Sequence, residues 1–161
     1  MSGPEILLGP GGIADLDAVM SVMDDSFDGR FGEAWTASQC AGLLPMPGVW
    51  LMLAREEDQV IGFGLGRAVA DEAELLLLAV RRNAQGRGIG KMLLDHFAEQ
   101  AKGRRATRLH LEVREGNHAL SLYERSGYSL VGRRRNYYSG WAGQAYDALT
   151  LAKIVTGSSI R

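Results

Sequence analysis

Apolar residues recur along this chain with two periods, and the places where one period gives way to the other divide it into elements. Glu5 to Leu8 reads as a short strand, closed by Gly9-Pro10-Gly11-Gly12. Ile13, Leu16, Val19, Met20, Met23 and Phe27 then return at helical spacing, with Asp15 or Asp17 in the first turn. Thr36 is placed to cap a short helix running to Leu44, which Pro45-Met46-Pro47-Gly48 ends. Three strands follow, Val49 to Ala54, Val60 to Ala70 and Glu74 to Val80, and the polar breaks between them are short enough for antiparallel hairpins.

The second half opens on a glycine-rich turn from Gln85 to Gly90 and a helix to about Lys102, with Met92, Leu93, Phe97 and Ala101 on one stripe. Thr107 to Arg114 alternates as a strand, setting Leu109, Leu111 and Val113 against His110, Glu112 and Arg114. A helix from about Asn117 to Arg125 stops at Ser126-Gly127, and strands at Tyr128 to Tyr137 and Ala145 to Ala152 complete the pattern. The order β-α-α-β-β-β-α-β-α-β-β predicts an α/β fold with a sheet of mixed direction.

Composition narrows the function. The 161 residues, 46% hydrophobic and 23% charged, suit a globular chain with one domain over residues 1–161. Basic and acidic residues number 18 and 19, so nothing in the total charge calls for nucleic acid or an anionic membrane. The apolar run Ala73 to Val80 falls far short of the roughly 20 residues that cross a bilayer, and the N-terminus lacks the basic segment of an export signal. The lone Cys40 cannot form an internal disulfide and fits the cytoplasm. His96, His110 and His118 have no metal-ligand spacing, so no metal is expected.

The sharpest local signal is the run Arg81-Arg82-Asn83-Ala84-Gln85-Gly86-Arg87-Gly88-Ile89-Gly90-Lys91 between a strand and a helix. Amides at a helix start lack intrahelical acceptors, and glycines let a phosphate approach them; Arg81, Arg82, Arg87 and Lys91 add local positive charge. A structural turn with a solvated basic rim is the alternative. The nucleotide-hydrolysing loop is excluded, because Gln85 stands where its first glycine belongs and Met92 where Ser or Thr would hold magnesium. Gly62, Gly64 and Gly66 do not make a dinucleotide fingerprint either, and read as small residues on one sheet face that something packs against.

Gln85-Gly86-Arg87-Gly88-Ile89-Gly90 resembles the Q/R-x-x-G-x-G/A signature of the GCN5-related N-acetyltransferases, and Leu122-Tyr123-Glu124-Arg125-Ser126-Gly127-Tyr128 is similar to a second segment of that family. The order of elements agrees with it over nearly the whole chain. The resemblance implies a mixed, mostly antiparallel central sheet flanked by helices, with acetyl-coenzyme A as co-substrate. By it, Leu78, Ala79 and Val80, the run Gln85, Gly86, Arg87, Gly88, Ile89, Gly90 and Lys91, and Asn117 contact the cofactor. The interval from Asn117 to Tyr123 is one residue shorter than is usual there. Leu111-Glu112-Val113-Arg114, Arg134-Arg135-Asn136-Tyr137-Tyr138 and Tyr146-Asp147-Ala148-Leu149 look like the RimI-type subgroup, alanine N-acetyltransferases of a small-subunit ribosomal protein. That likeness implies Glu112 as proton acceptor, Tyr123 as proton donor, and Trp35, Arg134, Tyr137 and Tyr138 beside a protein N-terminus as substrate.

The chemistry agrees with those residue types. An amine must lose its proton before it attacks a thioester, and a carboxylate on a strand interior can take it. His110, roughly 7 Å along the same strand face by the rise of two residues, is either a relay or a filler. A backbone N–H near Ala79 or Val80 is expected to face the thioester carbonyl, where two strands splay to admit the cofactor. A lysine or polyamine acceptor, or a non-catalytic acyl-coenzyme A binding module, stays open on the residues alone. Arg133 to Tyr138 also suggests an RNA grip, which strand alternation weakens.

Overall fold

The computed structural model describes residues 4–155. Its sheet has seven strands: β1 (Ile6–Gly11), β2 (Val49–Glu56), β3 (Gln59–Val69), β4 (Glu72–Val80), β5 (Arg108–Arg114), β6 (Ser129–Ser139) and β7 (Ala145–Ile154). The helices are α1 (Leu16–Ser26), α2 (Ala37–Leu43), α3 (Ile89–Gly103) and α4 (Ala119–Arg125). The strands lie in the order β1-β2-β3-β4-β5-β7-β6. All neighbours are antiparallel except β4 and β5, which α3 connects. This is the predicted element order. Among the described residues no helix is long and apolar enough to cross a membrane.

Local chemistry sets most boundaries. Thr36 Oγ1 accepts from the Gln39 amide at 3.1 Å and Gln39 Oε1 from the Thr36 amide at 2.7 Å, a reciprocal cap that starts α2. Glu57 and Asp58 both adopt positive φ, the conformation a two-residue hairpin needs between β2 and β3. The first strand corrects the expectation: Gly9, Pro10 and Gly11 do not close it but pair with Leu53, Met52 and Leu51. Proline is tolerated there because β1 is an edge strand, whose outer amides need no partner.

Each face of the sheet carries its own core. Val22 and Met23 of α1 pack with Leu53 and Phe63 on one face, while Leu93 and Phe97 of α3 pack with Met52 and Leu111 on the other. Gly62, Gly64 and Gly66 serve the second face, where a Cβ at Gly62 would stand 3.2 Å from Leu93 and one at Gly66 2.8 Å from the Trp50 ring. Trp50 lies stacked between Phe97, 5.7 Å away, and the Arg104 guanidinium, 4.2 Å away.

One irregularity positions the site. Gly66 pairs with Leu75 and Leu65 with Leu77, so Leu76 is an extra residue in β4. The bulge reverses which way the following side chains point: Ala73 and Leu75 enter the α3-side core, whereas Leu77 and Ala79 enter the α1-side core. Pairing with β5 covers only Glu72 to Leu75, opposite Arg108 to Leu111, and ends at the bulge. Beyond it the β5-facing edge of β4 is open.

Phe97 is fully buried and stacks on Trp50 of β2 in the α3-side core. Phe97→Ala is expected to destabilise the protein by about 3–5 kcal/mol, the usual cost of emptying a large core position, measured by guanidinium unfolding.

Candidate active site

The open edge of β4 forms one wall of a cleft of about 1180 Å³, with β5, α4, the start of α3 and the loop after α1 around it. The Arg81 amide donates to Ile61 O at 2.8 Å, and antiparallel pairs alternate, so the amides of Leu78 and Val80 face the cleft. Ala79 lines the cleft, yet its amide is turned towards β3 and its side chain is buried. Gln85 Nε2 donates to Val80 O at 3.0 Å and ties the glycine-rich turn to the strand end.

In that turn Gly86 and Gly88 have φ of 82° and 81°, which L side chains rarely adopt, and nothing lies within 4 Å of where their Cβ atoms would stand. The first helical hydrogen bond runs from Met92 to Gly88 O, so the Ile89, Gly90 and Lys91 amides before it have no intrahelical acceptor. This cradle fits a pyrophosphate by backbone and open space. The cations around the turn have acceptors of their own. Arg81 holds Val60 O and Ser21, Arg82 holds Asp25, Arg87 turns to Glu56 on β2, and Lys91 pairs with Asp95 at 2.7 Å. Arg81, Arg82 and Arg87 find acceptors on neighbouring elements, whereas Lys91 pairs within α3 and, at 63% exposed, stays on the cleft lining beside the free amides of the turn.

Glu112 and Tyr123 line the same cleft from β5 and α4. The Glu112 side chain is 17% exposed, and its recorded contacts fall on Oε2: Arg134 Nε at 2.9 Å and Thr150 Oγ1 at 3.4 Å. Tyr123 is 7% exposed and lines the cleft, and among the described residues its hydroxyl makes no hydrogen bond. Burial, with Tyr128, Glu33 and Tyr138 nearby, pushes its phenol above the usual range and keeps it protonated. His110 does not line the cleft, and its Nε2 stands 3.7 Å from Glu72.

Asn117 lines the cleft and makes contacts of its own. Its Nδ2 donates to Glu33 at 2.7 Å and its Oδ1 accepts from the Ala119 amide at 2.8 Å, so the side chain starts α4 and ties down the loop after α1. Glu33 further accepts from Arg114 Nε at 3.1 Å, and Arg114 lies 3.6 Å from the centre of the Phe31 ring. The sequence offers Glu112, two residues back on the same strand face, and Glu115 as partners for Arg114, and the pairing with Glu33, 81 positions away, leaves no mark in local spacing.

Trp35, Arg134, Tyr137 and Tyr138 border the cleft opposite the glycine-rich turn. A bulge between Arg134 and Tyr138 re-aims the two tyrosines, with Asn136 at φ 54° and its amide donating to Asp147 Oδ1 at 2.9 Å. The loop after β6 touches the loop after α1 so closely that a Cβ at Gly140 would fall 1.6 Å from Arg30 O. Arg133 is held by Glu115 and Asp147, and Arg134 by Glu112. Among the described residues no three His, Cys, Asp or Glu side chains converge as a metal site.

A seven-stranded sheet that splays at a β4 bulge, with a glycine-rich turn at the mouth, defines an acyltransferase architecture. Residues 16–128 match the Acetyltransferase (GNAT) family, and the chain belongs to it. It is similar to the ribosomal protein bS18-alanine N-acetyltransferase of Haemophilus influenzae, 41% identical over 97 residues that cover 60% of this chain and 66% of that one. The enzyme of the same name from Escherichia coli strain K12 is 36% identical over 98 residues, again 60% and 66%. The chain thus spans just under two thirds of the length of these curated relatives. The crystal structure of the ribosomal-protein-S18-alanine N-acetyltransferase from Escherichia coli superposes with a TM-score of 0.84 at 26% identity, covering 98% of this chain and 99% of that one.

The Asn136 amide, then Arg133, hold Asp147 below the ordinary carboxylate range, and Arg133 does the same for Glu115. A depressed folded-state pKa contributes stability above the unfolded value that is lost as pH falls through the folded one. Amide exchange protection of the β6–β7 hairpin is therefore expected to hold from neutrality to about pH 4 and to decline below it. Asp147→Asn should flatten the decline.

Proposed function

We propose that this protein transfers an acetyl group from acetyl-coenzyme A to the N-terminal α-amine of a protein, foremost the terminal alanine of a small-subunit ribosomal protein. The observation that carries the reading is the unpaired edge of β4 facing Glu112 and Tyr123 across one cleft. The activity for which the relatives are named supports the acceptor, as does the contact of the two loops beside Trp35 and Tyr138.

Bound acetyl-coenzyme A supplies an activated thioester. The turn from Gln85 to Lys91 holds its pyrophosphate on backbone amides, and the Leu78 and Val80 amides take its pantetheine arm and thioester carbonyl as a strand would. Ala79 shapes that wall without donating to it. Glu112 takes the proton of the acceptor ammonium group on Oε1, since its contacts among the described residues fall on Oε2. Tyr123 presents a protonated hydroxyl to the leaving sulfur. An α-amine is about 2.5 pKa units easier to deprotonate than lysine, about 3.4 kcal/mol less for a single carboxylate to supply. Arg133 and Arg134 are neutralised by their partners, which disfavours an RNA grip. The lone Cys40, buried and with its thiol pushed up by burial, suits a cytoplasmic enzyme that does not use it.

Mass spectrometry on a peptide panel tests the acceptor: Ala-initiated peptides should be acetylated at the terminus and internal lysines spared. Preference for lysine or free polyamines would overturn the acceptor while leaving acetyl transfer intact. Glu112→Gln should lower turnover about 10²–10⁴-fold at neutral pH. The deficit should shrink as pH rises towards the amine's own pKa, where the base is needed less; a pH-independent deficit would assign Glu112 to positioning instead.

A further inference from the structure

Two carboxylates stand on the acceptor side of the cleft, each held by a guanidinium, and the two pairs are built differently. Glu33 and Arg114 are about nine-tenths buried, with side chains 10% and 9% exposed. Arg114 is locked: Nε donates to Glu33, Nη1 donates to Glu115 O at 3.1 Å, and Phe31 covers its face. Arg134 is 60% exposed, its only ionic partner among the described residues is Glu112, and it lies 5.0 Å from the centre of the Tyr137 ring. One guanidinium is part of the wall and the other can leave.

We propose that Arg134 is a resident cation which the acceptor's ammonium group displaces from Glu112, so that the site receives acceptors in charged form by exchanging one cation for another. This rests on the assignment of Glu112 as proton acceptor. Glu112 is 17% exposed, so stripping its cation without replacement leaves a poorly solvated carboxylate, and a neutral ligand has nothing to offer in return. An ammonium group keeps the charge balance unchanged. The released guanidinium regains water at little cost, because most of it is already solvated. Proton transfer then breaks an ammonium N–H bond and forms an O–H bond on Glu112, leaving both groups neutral and the amine's lone pair free. A protonated Glu112 no longer attracts Arg134, which returns when the carboxyl ionises again.

The other charges facing Glu112 are fixed. His110 and Arg114 share its strand face, but His110 is drawn to Glu72 and Arg114 to Glu33. Glu74 on β4 pairs with Arg67 at 3.0 Å, and Tyr138 on β6 stays protonated through burial and the two carboxylates. Thr150 on β7 does not titrate. Arg134 is thus the one charge beside Glu112 that exchange can remove.

The test is steady-state kinetics of Arg134→Met and Arg134→Lys across pH, with saturating acetyl-coenzyme A and an Ala-initiated peptide. Removing the competitor in Arg134→Met is expected to lower the peptide KM roughly fivefold, the scale of a partly exposed ion pair, and to move the acid limb of kcat/KM to higher pH. Arg134→Lys should restore both values towards wild type, with the melting temperature of either variant unchanged. In a Glu112→Gln background Arg134→Met should leave KM where it was. A peptide KM that stays put in Arg134→Met, with the acid limb unmoved, overturns the exchange, and a KM that rises overturns it and makes Arg134 a direct acceptor contact. Wild-type turnover and pH profile in Glu112→Gln alone would instead sink the proton-acceptor assignment.

Discussion

The single extra residue at Leu76 is the constraint on which the rest depends. A strand that kept its register through β4 would go on pairing with β5, and the two edges would close on each other. The bulge ends that pairing after Leu75 and hands Leu77 and Ala79 to the opposite core. Hydrogen-bonding groups at Leu78 and Val80 are left facing a cleft, an arrangement stable only where something else satisfies them. Gln85 covers one of these, the Val80 carbonyl, and the remaining amides are what an extended ligand would pair with.

Charge in the molecule is arranged locally. The arginines near the glycine-rich turn fasten it to α1, β2 and β3, which fixes its shape, while Lys91 pairs along α3. On the acceptor side the same device appears in Arg114, which joins β5 to the loop after α1 through Glu33 and Phe31. With the formal net charge at −1, little long-range field remains, so the selectivity of the cleft has to come from contacts a few ångströms long.

Periodicity made the fold legible because almost every element has one strongly apolar face: the stripe of α3 and the alternation of β5 are both seen in the structure. It failed at Pro10, where proline reads as a stop unless the strand is known to be an edge. It was blind to the bulge, because Leu75-Leu76-Leu77-Leu78 is uniformly apolar and a change of facing leaves no mark on such a run. Residues of the site on regular elements, Glu112 and Tyr123, were visible from motif and face. Glu33 was not, because its meaning comes from Arg114 and Asn117, more than eighty positions away in sequence and adjacent only after folding.

The outermost strand shows what the bulge between Arg134 and Tyr138 does beyond aiming two tyrosines. β6 lies at the rim of the sheet, with Leu130 and Val131 more than half exposed, which is the profile of a template for aggregation. Two register breaks interrupt it, one beside those residues and one at Asn136, and neighbouring arginines stand on alternate faces. A foreign strand could follow this edge for only a few residues before losing step or meeting charge. The distortion that shapes the cleft also shortens the run of regular edge on which a second chain could pair.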